Sequence, residues 1–375
     1  MTTGVYIHIP YCLKKCSYCD FLSFPIDARN AEVYTDALCR EISLADFGGD
    51  IIDTLYIGGG TPTALASPLL CKILREVAAL PLMAGAEITV EANPGTVDRD
   101  YLSALIKYGV NRLSMGLQSA QLRLLKSLGR VHTFDDFCEN FRAARAAGFK
   151  NVNVDLMFAL SGQTCEDWGE TLNAVIALEP EHISAYSLTP AENTPLWDKI
   201  ESGEVSLPDD AVDRDMYYMA RRMLAEAGYG QYEISNFAKP GFESRHNVNC
   251  WKMRRYIGFG AGAHSFDGKT RLHNTEDMGE YVGILESASQ KTLRKNILRL
   301  SDADIFSEGI ILGLRLTEGI SESDFAEIYG EPPSARYGKE IDKLAEQGLI
   351  FRKNGRLRLT CRGMDFANQV FEVFL

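Results

Sequence analysis

Between residue 4 and about residue 235, short β-branched apolar runs alternate with longer stretches whose apolar residues recur at helical spacing. The runs at 4–9, 53–57, 86–91, 111–116, 151–157 and 182–188 predict strands; the segments near 30–47, 67–80, 98–108, 133–147, 165–178 and 211–228 predict amphipathic helices between them. Repeated strand–helix units give parallel strands with helices outside, in a barrel or a doubly wound sheet. Six units fall short of the eight of a closed barrel, so the pattern predicts an α/β fold with a partial, open, TIM-like (β/α)6 barrel over residues 1–235. Residues 236–300 are less regular, rich in Gly, Asn, Arg and aromatics, and read as a connecting segment. Residues 301–375 read mainly helical. A helix near 334–347, Gly348, two short strands at 349–351 and 357–359 around Asn354-Gly355, and a last helix predict a small winged-helix-like domain.

The polar residues that interrupt this pattern collect where the predicted strands end. Gly58-Gly59-Gly60-Thr61-Pro62 follows the second strand, Glu91 ends the third, Gln118 follows the fourth and Asp155 lies late in the fifth. Parallel α/β architectures gather their chemistry at the C-terminal edge of the strands. The first strand leads there too, into Tyr11-Cys12-Leu13-Lys14-Lys15-Cys16-Ser17-Tyr18-Cys19-Asp20-Phe21.

The spacing of Cys12, Cys16 and Cys19 is C-x3-C-x2-C, with no fourth cysteine nearby. Iron–sulfur cubanes are normally held by four thiolates, so three leave one iron open to a small molecule. The competing reading is structural zinc, which takes four ligands and is commonly bound by paired C-x2-C units. Only one such pair is present, and His8 sits inside a predicted strand. The glycine run contains neither G-x4-G-K-[ST] nor G-x-G-x-x-G. Its other use is to let a ligand lie against bare backbone.

Composition narrows the classes. The chain has 375 residues with 46% hydrophobic content, enough for one large domain and a smaller one. No apolar stretch reaches the roughly 18 residues of a membrane span, and no export signal is read at the N-terminus. A soluble, cytoplasmic protein is expected. Nine cysteines, an odd number, fit reduced thiols with one metal site; Cys39, Cys71, Cys138, Cys165 and Cys361 read as small buried hydrophobes. A net charge of −12 disfavours nucleic acid as a partner. Residues 336–362 carry eight Lys/Arg against three Asp/Glu, read as a solvated wing.

With Tyr18 before its last cysteine, the triplet resembles the radical S-adenosylmethionine (SAM) superfamily, in which the open iron of a [4Fe–4S] cluster chelates SAM. Tyr6-Ile7-His8-Ile9-Pro10, the glycine run, Glu91-Ala92-Asn93-Pro94, Gly116-Leu117-Gln118-Ser119, Asp155-Leu156-Met157, Gly258-Phe259-Gly260-Ala261-Gly262-Ala263-His264-Ser265 and the C-terminal domain resemble the oxygen-independent coproporphyrinogen III oxidase family. The resemblance implies that Tyr6 and Tyr18 flank SAM, and that Gly59, Gly60 and Thr61 receive its amino group. It also implies that Glu91, Gln118, Arg130 and Asp155 make polar contacts to SAM.

Within that family, oxidases resemble C-x3-C-x2-C-x-C, whereas Phe21 stands at the extra cysteine's position here. The short stretch before Cys12 and His246-Asn247-Val248-Asn249-Cys250-Trp251 resemble the HemW-type heme-chaperone branch, with Cys250 replacing the usual tyrosine. The branch implies that His246 helps to hold heme, and that recipients are apo-hemoproteins such as respiratory cytochromes. It is compatible with a homodimer and a peripheral membrane-associated partner. Cys250 either packs where tyrosine would or offers iron a second ligand. The alternative reading is oxidative decarboxylation of coproporphyrinogen III; a more distant one is another radical SAM transferase or methyltransferase.

Overall fold

Every predicted strand–helix unit is present in the structure, a computed structural model describing residues 1–287 and 293–375. The strands are β1 (Thr2–Ile9), β2 (Ile51–Gly59), β3 (Leu82–Ala92), β4 (Arg112–Gln118), β5 (Val152–Phe158) and β6 (His182–Ser187). The helices between and after them are α1 (Ala28–Ser43), α2 (Ser67–Ala78), α3 (Arg99–Lys107), α4 (Phe134–Ala147), α5 (Cys165–Ile176) and α6 (Asp210–Glu226). Asp27, Asp98, Thr133, Thr164 and Asp209 each start a helix by accepting the backbone N–H three residues on. β1 to β6 pair in chain order, all parallel.

Side chains alternate across each strand, and the sequence exploits this to build two different faces. Val5, Ile7, Leu55, Ile57, Val90, Leu113, Met115, Val152, Val154 and Ile183 are fully buried in the core shared with the helices. The intervening positions carry Tyr6, Thr54, Tyr56, Glu91, Arg112, Ser114, Asn153, Asp155 and His182, which line the barrel interior. Each strand of the barrel thus turns its polar residues inward.

Residues 236–300, expected as a connecting segment, extend the sheet instead. They contain β8 (Asn236–Ala238), β9 (Tyr256–Phe259), β10 (His264–Phe266), β11 (Thr270–Asn274) and β12 (Arg294–Arg299), with β7 (Gly230–Gln231) just before them. The sheet runs β12-β11-β10-β9-β1-β2-β3-β4-β5-β6-β8-β7, with β9 parallel to β1. Positions 288–292 of this segment lie outside the described residues. The same segment holds α7 (Arg245–Trp251) and α8 (Met278–Glu286). These strands escape sequence reading because they are short and several of the turns between them are glycine-rich. At Gly258 a Cβ would fall 2.1 Å from the His264 carbonyl oxygen, a contact only glycine permits.

The C-terminal module contains α9 (Asp302–Gly313), β13 (Ile320–Ser321), α10 (Glu322–Tyr329), α11 (Pro333–Glu346), β14 (Ile350–Lys353) and β15 (Arg356–Leu359). Its sheet order is β13-β15-β14, and the wing turns at Asn354-Gly355 with φ values of 53° and 70°. Phe306, Ile310, Phe325, Ile341, Leu344 and Phe374 form its own core. The basic wing residues Arg352, Lys353, Arg356 and Arg358 are exposed, as expected. The module is tied to the barrel by Thr317 N–H donating to Tyr232 O at 3.0 Å and by the Arg315 guanidinium 4.3 Å above the Trp251 ring. Among the described residues, no helix is long and apolar enough to cross a membrane.

Gly319 and Gly330 both have left-handed φ (66° and 88°), but a Cβ at 319 would fall 2.0 Å from Leu357 O while one at 330 meets open space. Gly330→Ala is expected to cost about 1 kcal/mol and Gly319→Ala about 2–4 kcal/mol. Thermal unfolding of the two full-length variants, followed by circular dichroism, checks the difference.

Candidate cofactor site

The cysteine loop is closed at its base. Tyr11–Cys12 pairs with Phe24–Pro25 in a short parallel ladder, with Phe24 N–H donating to Pro10 O at 2.8 Å and Ile26 N–H to Cys12 O at 2.9 Å. The lobe between is fixed to the rest of the rim by Ser17 N–H on Leu128 O, 3.1 Å. Cys12, Cys16 and Cys19 line a single cavity of about 150 Å³ at the C-terminal end of the parallel strands. Among the described residues, no three His, Cys, Asp or Glu side chains converge as ligands of one ion would. Burial pushes the Cys12 and Cys19 thiols upward from their ordinary range.

The glycine loop is seated directly on the cysteine loop. Gly60 N–H donates to Ile9 O at 2.9 Å and Thr61 N–H to Tyr11 O at 2.6 Å; a Cβ on Gly60 would lie 2.6 Å from Tyr11 O. The Thr61 hydroxyl donates to Cys12 Sγ at 3.6 Å and accepts from Asn93 Nδ2 at 2.6 Å. Arg130 donates to Asn93 Oδ1 at 2.7 Å and to the Tyr18 hydroxyl at 3.0 Å, while its Nε is buried without a partner among the described residues. One polar chain thus runs from the first cysteine to Tyr18 beside the third.

Two carboxylates face the same cavity from β3 and β5, on either side of β4. Asp155 accepts from Ser114 Oγ at 3.1 Å and Asn153 Nδ2 at 2.8 Å. Glu91 accepts from the Tyr56 hydroxyl at 2.7 Å; burial first, and the nearby Asp155 charge after it, push its carboxyl up to about 7. Gln118 ends β4 with φ at 72°, and the Tyr186 hydroxyl donates to its Oε1 at 2.9 Å. Tyr18 is pushed up to about 12, chiefly by burial.

Cys12, Cys16, Cys19, Tyr18, Gly59, Gly60, Thr61, Glu91, Gln118, Arg130 and Asp155 therefore meet around one cavity. Tyr6 and His246 do not line it. Tyr6 lies deeper in the barrel, stacked on Tyr56 with ring centres 6.4 Å apart and bonded through its hydroxyl to His8 Nδ1 at 3.0 Å. His246 enters from the opposite end of the strands. Its Nδ1 meets Thr54 Oγ1 at 3.1 Å, its ring packs 5.4 Å from that of Tyr56, and its Cε1 lies 3.6 Å from where a Cβ on Gly4 would be. Burial lowers the imidazole to about 4, so it is neutral near pH 7. His246 is only 7% exposed, inside the barrel floor. The Cys250 thiol, pushed up to about 11 by burial, is protonated and packed. Of the five cysteines read as small buried hydrophobes, Cys39 and Cys138 are buried, Cys71 and Cys165 are only half-buried, and Cys361, at a helix start, is exposed.

Sequence reading missed Tyr56, Ser114 and Tyr186. The signal was present: polar residues at alternate positions of otherwise apolar strands mark an interior face.

The model of the Radical SAM superfamily matches residues 6–175, and that of the HemN C-terminal domain matches residues 300–366. Heme chaperone HemW of Bacillus subtilis is 37% identical over 99% of both chains. Heme chaperone HemW of Escherichia coli is 35% identical over 99% of this chain and 98% of its own. The chain belongs to the HemW family. The solved structure of coproporphyrinogen III oxidase (HemN) from Escherichia coli, a radical SAM enzyme, shares the fold: TM-score 0.85 at 23% identity, covering 100% of this chain and 89% of that one. A HemW-family chain of the radical SAM superfamily takes a [4Fe–4S] cluster and SAM as cofactors. The residues around the cavity fit that pair. Three thiols line it, Arg130 lines it beside them, and Gly116 keeps its wall bare, since a Cβ there would strike Asn93 Oδ1 at 2.7 Å.

The raised Glu91 carboxyl has a pH signature. Because Glu91 holds its proton more tightly in the fold than in the unfolded chain, it contributes stability that is fully present below about 4.5 and is lost as pH rises through about 7. Relative to Glu91→Gln, the cofactor-free parent is expected to lose about 3 kcal/mol across that window. Paired denaturant titrations at several pH values measure it; parallel curves for the two proteins would contradict the assignment.

Proposed function

We propose that the protein is a heme chaperone that holds a [4Fe–4S] cluster on Cys12, Cys16 and Cys19, binds SAM against it, and passes heme to apo-hemoproteins such as respiratory cytochromes. The observation that carries this reading is the match to HemW heme chaperones over essentially the whole of both chains. Phe21, which is 64% exposed at the lip of the cavity, supports it, because the oxidase pattern has a cysteine there.

When bound, the cluster offers an open iron to the methionine part of SAM and an electron for its cleavage. The chain's own residues orient and charge-match the ligand. Gly59 and Gly60 present backbone without side chains, and Thr61 adds a hydroxyl already ordered by Asn93. Glu91, its carboxyl pushed up to about 7, is partly protonated near neutral pH and in that form can donate a hydrogen bond, while Asp155 offers oxygens held by Ser114 and Asn153. Gln118 is aimed by Tyr186, and the Arg130 guanidinium, held by Asn93 and Tyr18 at the cavity wall, supplies positive charge for the ligand's carboxylate. Tyr18 walls the cavity beside the cysteines, and Tyr6 supports it from below through Tyr56. His246 serves heme from within the motif that carries it, by fixing α7 to the barrel floor. A homodimer and a membrane-associated recipient belong to the same reading.

Cys12→Ala, Cys16→Ala and Cys19→Ala are each expected to lose most iron and sulfide after anaerobic reconstitution, measured by elemental analysis. The reconstituted parent is expected to load an apo-cytochrome with heme and to leave coproporphyrinogen III unchanged. Robust formation of protoporphyrinogen would replace the chaperone reading with the oxidase one.

A further inference from the structure

One hydrogen-bonded chain inside the barrel has every proton direction set by the chemistry of its ends. It runs from Asp155, at the cysteine-lined cavity, through Asn153 and His182 to Tyr232 and the start of α7. His182 opens β6, is fully buried and does not line that cavity.

At the upper end, a carboxylate only accepts, so the Asn153 atom 2.8 Å from Asp155 Oδ1 is the amide nitrogen. That nitrogen also donates to Ser114 Oγ at 2.7 Å, and the Ser114 hydroxyl donates to Asp155 Oδ2 at 3.1 Å. Both oxygens of Asp155 are thereby held. The Asn153 carbonyl then points toward β6, where Ser184 Oγ donates to it at 3.2 Å and His182 Nδ1 lies 2.6 Å away. An oxygen so close to Nδ1 requires the proton on that nitrogen. Nε2 is left as the acceptor and receives the Tyr232 hydroxyl at 2.8 Å. The Tyr232 oxygen accepts in turn from the backbone N–H of Ser244, the N-cap of α7, at 3.3 Å.

His182 has a single proton to place. Burial, and after it the charge of Arg112, hold its imidazole well below the ordinary value, so the ring is neutral. A neutral imidazole donates from one nitrogen and accepts at the other. With the proton on Nε2 instead, the Nδ1 lone pair would oppose the Asn153 carbonyl and favour turning the amide over. The turned amide would then meet Asp155 oxygen to oxygen. Asn153 is only 2% exposed, so water does not replace a lost partner there.

We propose that His182 is a positioning residue for SAM: its Nδ1–H fixes the Asn153 amide, and the amide fixes the Asp155 carboxylate against the ligand. The proposal rests on the reading in which Asp155 contacts SAM. It adds the residue that aims this contact from outside the cavity.

Two amide substitutions separate the two ring nitrogens. The asparagine amide stands where Nδ1 is, and the glutamine amide reaches where Nε2 is. In full-length, cluster-reconstituted protein, His182→Asn keeps the donor to Asn153 and is expected to bind SAM within about twofold of the parent. His182→Gln keeps the Tyr232 contact but loses that donor, and is expected to weaken SAM about tenfold. Isothermal titration with SAM measures both, and iron and sulfide content equal to the parent's shows that each variant is folded and loaded. A packing role predicts the reverse order, because glutamine is nearer to histidine in volume. Equal affinities, or tighter binding by the glutamine variant, overturn the proposal. Nitrogen-15 NMR of the histidine-labelled full-length parent is expected to find the His182 proton on Nδ1; a proton on Nε2 overturns it without recourse to variants. Asp155→Ala checks the underlying reading. If that variant binds SAM as tightly as the parent, the Asp155 contact fails and the role of His182 with it. If it weakens SAM while the two amide variants bind alike, only the role of His182 fails.

Discussion

The structure turns on one contact, the seating of Gly60 on the backbone of Tyr11. Gly60 donates to Ile9 O and Thr61 to Tyr11 O, and a single methyl group at position 60 would intrude to 2.6 Å from a carbonyl oxygen. Because the end of β2 and the end of β1 touch there without side chains between them, the cysteine loop inherits its position from the sheet. Thr61 then reaches Cys12, and Asn93 and Arg130 carry the constraint on to Tyr18. A lobe without regular secondary structure is thereby given the precision of the strands beneath it.

The barrel interior connects its two ends. From the cofactor cavity, Asp155 is bonded to Asn153, Asn153 to His182 at 2.6 Å, His182 to Tyr232 at 2.8 Å, and Tyr232 accepts from Ser244 N–H, at the cap of α7, at 3.3 Å. A second column runs from Glu91 through Tyr56 to His246. Arg112 sits among these groups, 2% exposed, with its Nε unpartnered among the described residues. From Gly4, beside His246, to Ile9 is five residues, roughly 16 Å at the rise of a parallel strand. The helix that carries His246 is thus anchored to the same polar column that holds Asp155 at the cysteine-lined cavity.

The six β/α units were legible because their apolar alternation and helical spacing are long and uninterrupted, and the wing because Asn354-Gly355 marks its turn. The cavity was legible at Cys12, Gly60, Glu91, Gln118 and Asp155, since strand ends give their positions away. What stayed hidden depends on tertiary closeness. β9 to β12 are short and broken by glycines whose purpose, as at Gly258, appears only against the strand they touch. His246 is a further case: its motif suggests a ligand facing heme, but helix phase turns it into the barrel. Tyr56 and Ser114 carry no motif and gain meaning only from neighbouring strands.

Gln118 ends its strand in a conformation that its side chain disfavours, where β4 and β5 slip register. Glycine would relax that backbone but would remove the amide that Tyr186 aims at the cavity. On the proposed reading, in which Gln118 contacts SAM, stability and cofactor retention therefore pull in opposite directions at this position. Selection for heat resistance alone would drift toward glycine or asparagine there, and selection for a loaded cofactor site would keep the strained glutamine.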